Sequence, residues 1–211
     1  MNPSTDHHEQ QRQRIIGAAT RAFHANGIKN VTMDDIAHML TMSKRTLYQT
    51  FADKQELLLA CIEQHDHEKE AMMQELLQSR DNVLEFLLTT LAQNLDEMRH
   101  IKPAFFAEVL KYPKVMDYFA RKRREQEADA VSFLNKGIEQ GYFRSDVNFT
   151  IVYAQLSEGL STMMRNEVLM SFTQVEVFRN TVLVYLRGCA TMKGIGMIDS
   201  FLDKYKDQLA E

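Results

Sequence analysis

Six polar residues in one short stretch, Ser43, Lys44, Arg45, Thr46, Tyr48 and Gln49, have the types and spacing to hold a polyanion. Ser43 is suited to cap a helix that Lys44 opens. The free backbone N–H groups of a helix start, with a lysine ammonium beside them, suit a phosphate oxygen. Arg45 and Thr46 follow in the first turn, and arginine's planar fork matches guanine O6 and N7. Tyr48 can lay its hydroxyl on a phosphodiester backbone, and Gln49 can pair with adenine or a phosphate. Thr32 and Lys54, each at a helix start, flank this stretch as phosphate clamps. The chemistry implied is contact with double-stranded DNA.

Other constellations point less far. His65-Asp66-His67-Glu68 has metal-ligating types, but on a helix residues 65 and 67 point about 200° apart, so the imidazoles cannot share an ion. Glu63 and His67 would offer two ligands with no third nearby in sequence. Arg121-Lys122-Arg123-Arg124 is followed by Glu125, Glu127 and Asp129, which reads as pairing along a helix surface. No GxSxG, P-loop, HExxH or CxxC occurs. The two cysteines, Cys61 and Cys189, lack the basic surroundings of a reactive thiol. No catalytic residue, metal or cofactor is therefore expected, and the 13 methionines read as flexible core filler or the lining of an adaptable cavity.

The elements that must position the first group are spelled by three helix starts in succession. Thr32 stands three residues before Asp35, with Val31 and Ile36 placed as a hydrophobic staple. Ser43 repeats the arrangement with Met42 and Leu47, and Asp53 comes third with Glu56 at the capping-box position. The spacing predicts helices over 33–40 and 44–51 joined by a tight turn at 41–43, a helix-turn-helix. Before them, Ile15, Ile16, Ala19, Ala22 and Phe23 form a helical stripe from about Gln10, ended by Asn26-Gly27. Beyond, helices are predicted over 54–79, 82–100, between Pro103 and Pro113, 114–140, 147–168 and 174–191, with a tail helix from about 197. The fold class is all-α. The expected organisation is a disordered arm at 1–9, a DNA-binding three-helix bundle at 10–53 and a helical effector-binding and dimerisation domain at 54–211.

Composition agrees. Only 3 Pro and 8 Gly interrupt 211 residues that are 45% hydrophobic. The formal charge of −4 divides into +2 over residues 1–55 and −6 over the remainder, so nucleic-acid contact falls at one end. No apolar run approaches the roughly 18 residues of a membrane span, and the start is polar. With so few cysteines, a cytoplasmic setting is expected.

The stretch RIIGAATRAFHANGIKNVTMDDIAHMLTMSKRTLYQTFADKQELLLACIE, residues 14–63, resembles the DNA-binding domain of the TetR (tetracycline repressor-like) family. The part most specific to the family is VTMDDIAHMLTMSKRTLYQTFADKQELL. The resemblance implies backbone contacts by Lys44, Tyr48 and Lys54. Two positions depart from it: Arg45 stands where the family often has Gly or a small residue, and Thr50 where it often has an aromatic. Over the rest of the chain only the layout is similar.

That layout implies a homodimer on a near-palindromic operator, its half-sites about 34–36 Å apart. The last two long helices would form the interface, with Ala154, Ser157, Ser161 and Val175, then Phe178, Val182, Tyr185 and Leu186, at helical spacing. It also implies a small-molecule effector among the middle helices, where Phe86, Thr90, Phe105, Phe106, Phe119 and Met163 are candidate lining. Few charges fall among these, which favours an apolar or amphipathic effector. Effector binding to the DNA-incompetent state would release the operator by linkage. Three other uses compete with this repressor: an activator, a helix-turn-helix that docks a protein, and an enzyme in the helical body.

Overall fold

The computed structural model describes residues 3–79, 82–163 and 172–205, with side chains described except at 3–6, 79, 160–163, 174 and 178. Ten helices are described: α1 Pro3–Asn26, α2 Met33–Met39, α3 Lys44–Thr50, α4 Lys54–Ser79, α5 Val83–Arg99, α6 Pro103–Val109, α7 Pro113–Glu139, α8 Phe149–Met163, α9 Gln174–Cys189 and α10 Met192–Lys204. Among the described residues the one β-type pairing is an isolated antiparallel bridge between Phe143 and Ala190. No helix among them is long and apolar enough to cross a membrane.

Two boundaries differ from the sequence reading. Helix α1 begins at Pro3, so most of the stretch expected as an arm continues the amphipathic helix behind it. Helix α10 begins at Met192 because Thr191 caps it, its hydroxyl accepting from the Gly194 N–H at 3.2 Å. The apolar stripe of Ile198, Phe201, Leu202 and Tyr205 is the buried side of a longer helix. Leu209, the last member of that stripe, lies outside the described residues.

The chain forms two compact units. The first comprises Met1–Ala71 with His100–Phe119, the second Met72–Arg99 with Ala120–Glu211. The first unit is therefore larger than the expected 10–53 domain. Its core joins Ile15, Ile16 and Phe23 of α1 to Ile36 of α2 and Leu47 of α3. Leu57, Leu58 and Cys61 of α4, with Val109, Val115 and Tyr118 from α6 and α7, complete it. Helix α6 docks on the end of α1: the Lys102 N–H donates to the His24 carbonyl (2.8 Å), and the His24 and Phe105 rings meet edge to face at 4.9 Å. Gly27, at φ 80°, makes that approach feasible, since a Cβ there would lie 3.3 Å from the Ala104 Cβ.

The second unit is centred on α5, which packs on α9 and α10 through Leu84, Leu88, Leu91 and Leu95. Val83, Phe143, Phe149 and Ile198 share its core. Helix α9 opens with a capping box between Thr173 and Glu176.

Between α2 and α3 the chain turns at Thr41, a β-branched residue at φ 53°. The Met42 N–H reaches the Ala37 carbonyl (3.0 Å) and the Thr41 N–H the His38 carbonyl (3.0 Å), the paired bonds of a Schellman motif. The left-handed conformation costs an L-residue roughly 1–2 kcal/mol, and glycine's extra chain entropy offsets about 0.5–1 kcal/mol of that. Thr41→Gly should therefore raise the unfolding midpoint of the first unit by a few degrees. A midpoint that falls in a thermal melt would count against strain at this turn.

Candidate nucleic-acid interface

Each helix start that the sequence spelled is built as expected. Thr32 and Asp35 form a reciprocal capping box: the Asp35 N–H donates to the Thr32 hydroxyl (3.1 Å), and the Asp35 carboxylate accepts from the Thr32 N–H (2.8 Å). The Thr32 hydroxyl and amide hold the Asp35 carboxyl below its usual range. Ser43 caps α3 by accepting from the Thr46 N–H (3.1 Å), and the two hydroxyls lie 2.8 Å apart. At α4, Asp53 accepts from the Glu56 N–H (2.7 Å), while Glu56 reaches back to the Ala52 N–H (2.7 Å).

These caps fix α3 with two unlike faces. Leu47 is fully buried, and Phe51, just past the helix, is 2% exposed. Opposite them Ser43, Lys44, Arg45, Tyr48 and Gln49 are exposed, with Thr46 half-buried. Tyr48, a large aromatic that the core could have taken, keeps 49% of its surface open. The hydroxyl of Thr50 turns back to the Thr46 carbonyl (3.2 Å), which takes it out of the polar row.

The charges around α3 are not all free. Lys44 Nζ lies 2.5 Å from the Asp34 carboxylate, which raises the lysine's pKa. The side chains are 66% and 52% exposed, so an entering phosphate can replace the aspartate at little cost. Lys54 is half-buried, 6.0 Å from the centre of the Phe23 ring, and burial lowers its pKa against the opposing pull of Glu108 and Asp35. The Asp34 contact has no signal in the sequence beyond an exposed acidic residue in the first turn of α2.

The remaining candidates are dispersed. His67 lies 3.8 Å from Glu70 on its own helix, and no group of three metal-ligating side chains occurs among the described residues. Arg121 pairs along its helix with Glu125 (3.7 Å), whereas Arg123 pairs across to Glu158 of α8 (2.5 Å).

The six residues expected to line one effector pocket divide between the two units. Phe105, Phe106 and Phe119 belong to the first, where Phe105 and Phe119 pack against the core and Phe106 is buried. Phe86 and Thr90 belong to the second, with the Phe86 ring edge-on to Phe133 at 5.0 Å. Apolar periodicity identifies an inward side without saying which unit owns it.

The expected dimer residues divide similarly. Val175 is buried with Leu91 and Leu95 of α5, and the partly buried Val182 and Leu186 pack against them. The Ser157 hydroxyl bonds the Tyr153 carbonyl (2.7 Å), and Ala154 is exposed while Tyr185 is half-buried. The side chains of Ser161, Met163 and Phe178 lie outside those described. Ile151 on α8 (61% exposed) and Val184 on α9 (69%) are apolar surface that the sequence reading missed.

A short helix with a capped start, a buried leucine on one side and a polar row on the other, set after a second capped helix and a four-residue connection at 40–43, defines a helix-turn-helix DNA-binding regulator. Comparison with known proteins agrees. Residues 15–61 match the family described as bacterial regulatory proteins, tetR family. The chain thus carries a DNA-binding head of the tetR type and is similar to transcriptional regulators of that family. It is 26% identical over 148 residues to the HTH-type transcriptional repressor KstR2 of Mycobacterium tuberculosis, covering 68% of this chain and 74% of that one. To the HTH-type transcriptional regulator TtgR of Pseudomonas putida it is 28% identical over 145 residues, covering 62% and 63%. Among solved structures, the TetR family protein CprB from S. coelicolor superposes with a TM-score of 0.66 at 19% identity, over 95% of this chain and 98% of that one. That likeness concerns the fold.

Proposed function

We propose that the chain is a homodimeric, effector-responsive repressor that acts in the cytoplasm on a near-palindromic operator. The observation that carries the DNA-binding part is the exposed row Lys44, Arg45, Tyr48 and Gln49 standing over the buried Leu47. A recognition helix needs one face rigid and the other free for the groove. Two such helices are needed for a site of useful specificity. The exposed Ile151 and Ala154 on α8 and the exposed Val184 on α9 favour these two helices as the pairing surface.

For the effector, the second unit offers Phe86 and Thr90, one turn apart on α5. The Thr90 hydroxyl is buried without a hydrogen-bond partner among the described residues, a polar atom on an apolar face. An amphipathic ligand suits such a face. KstR2 of M. tuberculosis is a ketosteroid transcriptional regulator, which is in keeping with that class. Helices α4 and α7 contribute residues to both units and so can carry the linkage between effector and operator.

Promoter fragments from the protein's own locus test the reading. Binding should be sequence-selective, with log K falling by several units per log unit of salt. Lys44→Ala combined with Tyr48→Ala should weaken operator binding at least tenfold and flatten the salt slope by about 1, with an unchanged melt. Wild-type protein without selective, salt-sensitive binding would refute the operator; a double variant that binds normally would refute this face of α3.

A further inference from the structure

A cleft of about 360 Å3 in the first unit is lined by Lys29, Lys54, Glu108, Lys111 and Tyr112. Its elements are far apart in sequence: the α1–α2 loop, the first residue of α4, and the end of α6 with the turn into α7. We propose that this cleft seats a backbone phosphate of the operator flank, so that the DNA contact extends beyond the helix-turn-helix onto the α6–α7 turn through Lys29 and Lys111. The inference rests on the reading of the first unit as an operator-binding head.

Charge is the first ground. Three lysines face one carboxylate, and that carboxylate is already engaged, because the Lys29 backbone N–H donates to Glu108 Oε2 at 2.6 Å. None of the three ammoniums forms a salt bridge among the described residues, in contrast to Lys44 with its Asp34. With three lysines against one carboxylate the cleft keeps a net positive charge, which suits an anion from outside.

Position is the second. Lys54, in the cleft, feels the charge of Asp35 in the first turn of α2, the helix that the exposed Thr32 caps. Lys29 precedes Thr32 by three residues and is itself exposed, as is Lys111. Lys54, one of the helix starts expected to meet phosphate, is itself part of the cleft lining, so Lys29 and Lys111 share a cleft with that expected contact. Tyr112 supplies a hydroxyl donor. Burial raises its pKa, and the neighbouring Glu108 raises it further, so the O–H persists at neutral pH.

The occupant is a phosphodiester of bound DNA rather than a free anion, because the cleft adjoins residues that meet the backbone and is open to solvent through exposed lysines. Contacts to phosphates add affinity without sequence preference. They should register as salt dependence, about 0.9 slope units for each neutralised phosphate.

Lys29→Gln and Lys111→Gln, singly and together, test this in fluorescence anisotropy titrations of the full-length protein on an operator fragment across a range of salt. The expected result is a slope reduced by about 0.9 in the double variant and a several-fold weaker low-salt affinity. Both changes should be equal on operators with different flanking sequences, with Lys111→Arg close to wild type. Trimming the flanking base pairs should abolish the difference between variant and wild type. A double variant with the wild-type slope, or one that loses the same affinity on trimmed DNA, would overturn the proposal. Failure of the wild-type protein to bind would instead remove the operator reading on which it rests.

Discussion

Leu47→Ala should abolish operator binding by unfolding the recognition helix rather than by removing a contact. Leu47 is the one fully buried residue of α3, a helix of seven residues that could not persist alone in water. Truncating a buried leucine costs about 2–5 kcal/mol, set against a total stability of roughly 5–15 kcal/mol for a domain. For a unit of this size each kcal/mol moves the midpoint by about 4–8 °C. The expected drop is therefore about 8–40 °C, with operator affinity lost well below the wild-type melting temperature. Leu47→Met, which conserves volume, should cost less than about 1.5 kcal/mol and retain binding. If the alanine variant melted with the wild type, the packing role of Leu47 would be wrong.

The second large effect belongs to the second unit. A Cβ at Gly194 would stand 2.3 Å from the backbone carbonyl oxygen of Tyr142 and 3.1 Å from the Ala190 Cβ. That carbonyl cannot step aside freely, since it accepts from the Thr191 N–H (2.9 Å), and the Thr191 hydroxyl is bound to the neighbouring Gly141 carbonyl (2.7 Å). Gly194→Ala should therefore push α10 off α5 and α9. Overpacking of this kind costs about 1–3 kcal/mol, here toward the upper end because backbone must move. Ile198, fully buried in wild type, would be uncovered, and limited proteolysis should cut the tail helix first. Gly196→Ala on the same helix is the control. Nothing lies within 4 Å of its Cβ, so it should be neutral or should stabilise by up to about 1 kcal/mol through helix propensity. Equal protease resistance in the two variants would contradict the close docking of Gly194.

What the sequence discloses about this chain is local. The caps at Thr32, Ser43 and Asp53 are legible because the donor and acceptor sit three residues apart, and the turn at 41–43 follows from them. The same signal is present at Thr191, about two turns ahead of the apolar stripe that starts at Ile198. Contacts between distant segments left no such trace. Lys44 meets Asp34 from ten residues away, and Lys111 lines a cleft with Lys29 although helices α2 to α6 separate them in sequence. For a related reason the sequence does not say that Phe105 and Phe119 pack on the core of the first unit, and Val175 and Leu186 in that of the second. A helical stripe says that a residue is inside, not which neighbour fills the space in front of it.

The two cysteines have a use that follows from where the core puts them. Cys61 is buried in the first unit, its thiol directed at the Ile16 carbonyl (3.6 Å) and its pKa pushed up to about 11 by burial; Cys189 is buried in the second. A thiol reagent can reach either sulfur only when the surrounding packing opens. Each unit thus carries its own clock. The rate at which Cys61 is alkylated reports breathing of the head, the rate at Cys189 reports breathing of the body, and mass spectrometry separates the two without a mutation. Adding operator should slow the first clock, and adding an effector should slow the second. An effector that quickened the first would expose its coupling to the operator in the unmodified protein.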